Sequence, residues 1–229
     1  MFEEILLAPS ILSADMLNLE RDITTIAEGG ADWIHVDVMD GHFVPNLTMG
    51  VPLVKALSAW NILPLDVHLM ISNPLTQLPW FLECHPASVT IHVETQDERM
   101  TGEAIDLIRE AGSKAALSVK PSTAISVLEP FMDKLDMVLV MSVEPGFSGQ
   151  SFMKGSDARV AEVVELARQA QVNPRIQVDG GIGAQTVGMV ASAGADTFVC
   201  GNAVFKAPDI GLAIQEIKQL ARDATDRIS

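Results

Sequence analysis

The sequence predicts an α/β protein of one domain, a (β/α)8 TIM barrel that takes up residues 1–229. Three observations predict this fold. Eight short apolar runs alternate with segments of helical periodicity, which favours parallel strands joined by right-handed crossovers. Several runs are apolar almost throughout, as expected for strands that are covered on both faces. A weak internal repeat, Gly30-Ala31-Asp32 and Gly194-Ala195-Asp196, precedes the second and last runs and favours closure of the sheet into a ring.

The predicted strands are short and rich in branched apolar residues. In chain order they are Ile5–Pro9, Trp33–Val38, Leu65–Met70, Ser88–Val93, Ala115–Val119, Met137–Val143, Arg175–Asp179 and Thr197–Cys200. Helices are predicted where apolar residues recur at helical spacing, and Gly29-Gly30 ends the first of them. The clearest helical series are Leu19, Ile23, Ile26 and Ala27; Val160, Val163, Val164 and Ala167; and Ile210, Ile214, Ile217 and Ala221. We expect about eight helices, in strict alternation with the strands. No G-x-G-x-x-G follows the first strand to indicate a dinucleotide-binding sheet.

The composition argues against several classes of partner. A formal net charge of −15 and a pI near 4.5 do not suit a nucleic-acid groove or an anionic membrane surface. No apolar run approaches the ~18 residues of a membrane span, and Met1–Glu4 do not begin a secretory leader. Cys84 and Cys200 lack C-x-x-C spacing and are expected to be buried, reduced thiols. A soluble protein of the cytoplasm is therefore expected.

Two short dyads, His35-Val36-Asp37 and Asp66-Val67-His68, carry most of the chemical information. Residues i and i+2 of a strand point to the same face, so each dyad aims an imidazole and a carboxylate into one space. With Asp179, at the end of the seventh predicted strand, they suggest a four-ligand metal site of His35, Asp37, His68 and Asp179. This donor set suits zinc, iron, manganese or cobalt better than calcium. A single dyad of this kind would more often be a structural hydrogen-bonded pair. We interpret Asp66 as the acceptor that fixes the tautomer of His68, with a plain buried polar contact as the alternative.

Polar residues and glycines gather where the predicted strands end, the face that carries function in this fold. Ser10 follows the first strand, His92 ends the fourth, and glycine-rich segments follow the sixth, seventh and eighth. These segments are Glu144–Gln150, Asp179–Gly183 and Gly201–Ala203. Glycine lets backbone N–H groups approach an anion, so their convergence predicts a phosphate site, although each alone would suit a tight turn. Methionines at three strand ends either fill the core or line a water-poor pocket: Met39, Met70 and Met141.

These residues together resemble a known family. The segments concerned are Pro9–Ser13, His35–Asn46, Leu65–Met70, Met141–Phe147 and Val178–Ile182. They closely resemble the ribulose-phosphate 3-epimerases, and the match runs from Pro9 to about Phe205. The resemblance implies a ribulose-phosphate-binding barrel and a metal-dependent isomerase that interconverts D-ribulose 5-phosphate and D-xylulose 5-phosphate. It places the protein in the carbohydrate metabolism of the pentose phosphate and Calvin pathways, and it implies a homo-oligomer, a dimer or a hexamer.

The resemblance also implies roles for particular residues. One divalent metal ion, zinc or iron before manganese or cobalt, would be held by His35, Asp37, His68 and Asp179. Asp37 and Asp179 would also be the two acid/base groups, which face each other from well-separated strands. The phosphorylated ketose would be contacted by Ser10, His68, Gly146, Phe147, Ser148, Gly149, Asp179, Gly180, Gly181, Gly201 and Asn202.

Departures from the family pattern leave open which phosphosugar is the substrate. Ser148 stands where glycine is common, Asn202 where serine is common, and Met49 replaces a frequent phenylalanine. A D-allulose 6-phosphate 3-epimerase, which acts on a sugar one carbon longer, is the alternative. A decarboxylase-type lyase is not indicated, because His68 stands where an Asp-x-Lys-x-x-Asp motif would have its lysine. A binding protein without activity would be expected to lose an acid/base group, and both are present.

Overall fold

The computed structural model describes residues 4–226, which form one barrel with eight parallel strands. The strands are β1 (Leu6–Pro9), β2 (Ile34–Met39), β3 (Leu65–Met70), β4 (Ser88–His92), β5 (Lys114–Val119), β6 (Met137–Met141), β7 (Arg175–Asp179) and β8 (Thr197–Cys200). The predicted fold is confirmed, and the predicted strand bounds differ by at most two residues at an end. Residues 1–3 and 227–229, the ends of the predicted domain, lie outside the described residues, as does most of the segment Met1–Glu4.

The ring closes between the first two strands. Hydrogen-bonded neighbours follow the order β1-β8-β7-β6-β5-β4-β3-β2. Between β1 and β2 the contact is an isolated parallel bridge of Ser10 with His35, and the N–H of Asp32 donates to the carbonyl of Leu7 at 2.9 Å. The barrel is therefore nearly closed, and its closing bridge lies beside the dyad of β2.

Helices cover the outside of the barrel. They are α1 (Leu19–Glu28), α2 (Val51–Trp60), α3 (Pro74–Leu82), α4 (Glu98–Glu110), α5 (Ser156–Ala170), α6 (Val187–Ser192), α7 (Asn202–Phe205) and α8 (Ile210–Asp226). The strict alternation is wrong at one crossover, because a 3₁₀ helix, Ile125–Lys134, joins β5 to β6. Pro130 lies inside it, lacks an N–H and disfavours α geometry at Glu129, which explains the difference. Both α7 and α8 follow β8. Among residues 4–226, every helix falls short of the length and apolar character that a membrane span requires.

The two faces of each strand have different surroundings. Outward side chains such as Val36, Val67 and Ile91 are fully buried under the helices in the main core. Inward side chains fill the barrel, and part of that interior is polar: His35 and Gln177 are fully buried there. Alternation along the strands thus directs the residues of both dyads into the barrel interior.

Candidate active site

The four predicted ligands come from three strands and converge inside the barrel. His35 and Asp37 lie on β2, His68 lies on β3, and Asp179 ends β7. Asp37 is the register partner of His68 on the neighbouring strand, so the two side chains lie next to each other on the inner face. One ligand atom from each of the four residues lies within 4.8 Å of the other three. The structure therefore brings together the set that the sequence suggested.

The ring nitrogens of this cluster fit a divalent metal ion. Nε2 of His35 and Nδ1 of His68 are fully buried, and neither has a hydrogen-bond partner. They lie 3.3 and 3.4 Å from the same oxygen of Asp37, Oδ1. Unpaired nitrogens are costly in a protein interior, and a neutral imidazole nitrogen beside a carboxylate is a common arrangement of metal ligands. The residues present are suited to hold a cation.

Asp66 orients a different histidine from the one predicted. Its Oδ2 lies 2.7 Å from Nδ1 of His35 and accepts a hydrogen bond from the side-chain amide of Gln177 at 2.6 Å. The prediction that Asp66 fixes the tautomer of His68 is therefore wrong. Residues two apart on one strand are separated by ~6.6 Å of rise, whereas Asp66 and His35 are direct register partners across the strand pair. Because a carboxylate only accepts, Nδ1 of His35 carries a proton, and Nε2 is the nitrogen left to bind a metal ion.

The second nitrogen of His68 is paired with another imidazole. Nε2 of His68 lies 2.9 Å from Nε2 of His92, and Nδ1 of His92 lies 3.1 Å from Oε2 of Glu94. Burial lowers the pKa of His92 to about 4. Burial alone would raise the pKa of Glu94, but hydrogen bonds, that of His92 foremost, lower it to about 2. His92 was predicted to end a strand, without a role, and Glu94 was not predicted, although His92-Val93-Glu94 repeats the spacing of the dyads.

The pKa values of the two candidate acid/base groups, Asp37 and Asp179, are shifted in opposite directions. Burial alone would raise the pKa of Asp37, but the neighbouring imidazoles of His35, foremost, and His68 hold it well below its usual range. Ser10 also donates its hydroxyl to Oδ2 of Asp37 at 2.5 Å. Burial, followed by the negative charge of Asp37, raises the pKa of Asp179 to about 6. Neighbouring carboxylates with pKa values pushed apart are typical of an acid and a base that work together.

A cavity of about 470 Å³ opens above the cluster. Nearly all of the predicted substrate-contacting residues line it: Ser10, Gly146, Phe147, Ser148, Gly149, Asp179, Gly180, Gly181, Gly201 and Asn202. His68 is not among the lining residues and lies fully buried within the cluster. The three predicted methionines, Met39, Met70 and Met141, are almost fully buried and also line the cavity. They belong both to the core and to the apolar wall of the pocket.

One corner of the cavity is built from backbone that only glycine tolerates. Gly181 has a φ of +64°, and a Cβ there would lie 2.4 Å from the backbone nitrogen of Phe152. Gly149 has a φ of +77°, and a Cβ there would lie 2.6 Å from Nδ2 of Asn202. The loops after β6, β7 and β8 therefore pack against one another, as their glycine content suggested.

Two polar side chains that sequence analysis did not single out hold these loops. The side-chain amide of Asn46 donates to the carbonyl of Gly146 at 2.8 Å and joins the loop after β2 to the loop after β6. The hydroxyl of Ser142 donates to the carbonyl of Gly180 at 2.6 Å. Both residues lie inside segments quoted for the family resemblance, which was the available signal.

The site offers no amine for covalent chemistry among its described lining residues. The lysine that directly follows β5, Lys120, is not among the lining residues. Its Nζ lies 3.9 Å from the ring centroid of Phe43, in a cation–π arrangement. The geometry gives no support to a lyase that uses a Schiff-base lysine.

Comparisons with known proteins identify the family. The profile of the ribulose-phosphate 3 epimerase family matches residues 6–205. The ribulose-phosphate 3-epimerase of Mycobacterium tuberculosis is 44% identical over 227 residues, 98% of this chain and 96% of that relative. The chloroplastic ribulose-5-phosphate-3-epimerase of Arabidopsis thaliana is 41% identical over 221 residues, 96% and 79% of the two chains. The 3-hexulose-6-phosphate synthase of Salmonella typhimurium superposes with a TM-score of 0.69 over 96% of this chain and all of its own, and at 18% identity it shows the fold alone. This chain belongs to the ribulose-phosphate 3-epimerase family.

Proposed function

We propose that this protein is a ribulose-phosphate 3-epimerase that reversibly converts D-ribulose 5-phosphate into D-xylulose 5-phosphate. The observation that carries the proposal is the pair Asp37 and Asp179, two carboxylates of one cluster that reach the floor of one cavity from the well-separated strands β2 and β7. The names of relatives at 41% and 44% identity support the substrate. The same names favour the pentulose phosphate over D-allulose 6-phosphate.

The two carboxylates would invert C3 by moving protons on opposite faces of the sugar. The hydrogen on C3 is acidic because the C2 ketone beside it delocalises the charge that its removal leaves. Asp37, ionised and held by Ser10, accepts this proton and leaves an enediolate. Asp179, whose pKa is about 6, keeps a proton to higher pH than Asp37 does and delivers it to the opposite face of C3. The reverse reaction exchanges the two roles.

His35, Asp37, His68 and Asp179 would hold one divalent cation, which we propose to be zinc or iron, with manganese or cobalt as alternatives. When bound, the cation supplies Lewis-acid stabilisation of the enediolate charge. Asp66 supports this role by keeping the proton of His35 on Nδ1. The methionines of the cavity wall exclude water around the same charge, which strengthens electrostatic stabilisation there.

The corner of the cavity that contains Gly149 and Gly181 would bind the phosphate through backbone N–H groups. Such a site at the loops after the seventh and eighth strands is common in this fold. Ser148 and Asn202 stand at this corner and would adjust the length of sugar that fits. The preference for the pentulose phosphate is tested by comparing its turnover with that of D-allulose 6-phosphate in the same preparation.

The decisive experiment is Asp37→Asn in the full-length protein. The amide cannot accept the C3 proton, so we expect turnover to fall by several orders of magnitude while circular dichroism stays unchanged. Asp133→Asn, at an exposed position, is the matched control and should keep full activity. In heavy water the natural enzyme should place deuterium at C3 of the product. Substantial activity of Asp37→Asn, or product without deuterium, would rule out the two-carboxylate scheme.

We also propose a homo-oligomer, a dimer or a hexamer, located in the cytoplasm. Cys84 and Cys200 are both buried and free, which suits a reducing compartment. One relative is named as chloroplastic, so organelles remain a second location for the family. Sedimentation analysis of the purified protein tests the assembly, since a monomer at micromolar concentration would contradict it.

A further inference from the structure

We infer that His92 and Glu94 are positioning residues that set the tautomer of His68 and so make its Nδ1 available as a metal ligand. The inference rests on the metal site of the proposed function. It gives a role to a buried imidazole and a half-buried carboxylate that the epimerase mechanism does not use. Neither residue lines the cavity, so both would act only through His68.

The positions of the protons follow from the contacts. Glu94 presents a carboxylate oxygen 3.1 Å from Nδ1 of His92, and a carboxylate only accepts, so Nδ1 of His92 carries the proton. A neutral imidazole has one N–H, which leaves Nε2 of His92 as an acceptor. The group 2.9 Å away, Nε2 of His68, must then be the donor. His68 thus holds its proton on Nε2 and keeps the Nδ1 lone pair directed at Oδ1 of Asp37, 3.4 Å away.

Glu94 is itself fixed. Its Oε1 accepts from the backbone N–H of Lys120 at 2.7 Å and from the hydroxyl of Thr123 at 2.5 Å, both after β5. Phe43 packs against the ring of His92 with centroids 4.8 Å apart. Since His92 is fully buried as well, its ring cannot turn over without breaking these contacts.

The backbone donor at Lys120 makes Glu94→Gln a sharp test. In the variant, the backbone N–H of Lys120 still donates to the amide oxygen of the new glutamine. The NH₂ group of that glutamine therefore faces Nδ1 of His92. His92 must then accept at Nδ1 and donate from Nε2, which makes Nε2 of His68 the acceptor. The proton of His68 moves to Nδ1, the atom that would bind the metal. A nearly isosteric substitution about two hydrogen bonds away from the metal ligand would therefore reverse the tautomer of that ligand.

The experiment uses the full chain and two readouts other than activity. Long-range ¹H–¹⁵N spectra of the metal-free protein report the tautomer of His68, and competition with a chelator reports the dissociation constant for Zn²⁺. For Glu94→Gln we expect a protonated Nδ1 on His68 and a Zn²⁺ affinity 10–100-fold weaker. Glu98→Gln, the same change at an exposed position four residues on, should match the natural protein in both.

If Glu94→Gln fails to fold, His92→Leu takes its place. This change removes the acceptor of the His68 Nε2–H, together with the donor to Glu94, and should weaken Zn²⁺ binding similarly. His92→Gln, whose amide oxygen can still accept, should recover most of the affinity. A merely structural role predicts a lower melting temperature with an unchanged tautomer and Zn²⁺ affinity, and that result overturns the inference. Absence of stoichiometric metal in the natural protein would instead refute the metal site of the proposed function.

Discussion

Asp40 joins the loop after β2 to the loop after β3, and the cost of Asp40→Asn can be worked out from the structure. Oδ1 of Asp40 accepts from the backbone N–H groups of His42 and Phe43 at 2.9 and 3.0 Å. Oδ2 accepts from both the N–H and the hydroxyl of Ser72 at 2.7 Å and joins the loop after β2 to the loop after β3. An amide has one oxygen, so the variant turns an NH₂ group toward donors on one side or the other.

The magnitude follows from the pKa of Asp40. Burial alone would raise it, but hydrogen bonds, that of the Ser72 N–H foremost, lower it to about 2 from 3.8. At 1.36 kcal/mol per tenfold change in affinity for the proton, the gap corresponds to roughly 2.4 kcal/mol. The side chain is 14% exposed, so we allow for solvent screening and expect about 1–2 kcal/mol at pH 7.

The sign of the pH dependence is fixed by the same shift. Because the pKa of Asp40 is lower in the folded than in the unfolded chain, its carboxylate stabilises the fold above about pH 4. That stabilisation is lost as the pH falls through about 2. The difference in free energy of unfolding between Asp40→Asn and the natural protein should therefore shrink by about half at pH 3.

Urea unfolding at pH 7 and pH 3 measures this difference. Asp133→Asn, exposed and without a role in the site, is the matched control and should change stability by less than about 0.5 kcal/mol. The reasoning is refuted if Asp40→Asn is as stable as the natural protein at pH 7, or if its deficit is the same at both pH values.

Three further outcomes are expected at the cluster and the phosphate corner. Removal of the metal by a chelator should lower the melting temperature, since a metal at 100 times its dissociation constant contributes ~2.7 kcal/mol; an unchanged melting curve would contradict this. Burial alone would lower the pKa of His35, but the charges of Asp37 and Asp66 raise it well above its usual value. A proton on His35 therefore competes with the metal ion, and calorimetry should find weaker metal binding as the pH falls. Gly149→Ala should raise KM for the phosphosugar, and Asn202→Ser should relieve part of the loss with a coupling of about 1 kcal/mol; strict additivity would disprove the contact.

The sequence was sufficient to predict the barrel because its strands are easy to recognise. Runs such as Met137–Val143 are apolar, and strict βα order leaves few topologies. It also sufficed to predict that His35, Asp37, His68 and Asp179 lie close together, because residues two apart on a strand share a face whatever the neighbouring strand does. The 3₁₀ crossover at Ile125–Lys134 was missed because its apolar spacing still resembles a helix. Asp40 was missed because its four contacts depend on how two loops meet.

The error over Asp66 shows what a single strand cannot reveal. Parity tells which side chains face the barrel interior, but the partner of each is chosen by the register between strands, and nothing in Asp66-Val67-His68 specifies that register. The register pairs Asp66 with His35 rather than with its own His68, and it leaves His68 to pair with His92 of β4.

The dyads therefore work across strands rather than within them. Each histidine of the cluster has one nitrogen toward Asp37 and the other toward a residue of a neighbouring strand: Asp66 on β3 for His35, and His92 on β4 for His68. With both rings fixed in this way, the two buried ring nitrogens that lack a hydrogen-bond partner, Nε2 of His35 and Nδ1 of His68, face Asp37. If Asp37 is both a metal ligand and the base, a second carboxylate must carry the proton that is delivered to the opposite face of C3. The raised pKa of Asp179, on the far strand β7, meets that need, and the geometry favours inversion at a carbon between them over a metal site that only binds.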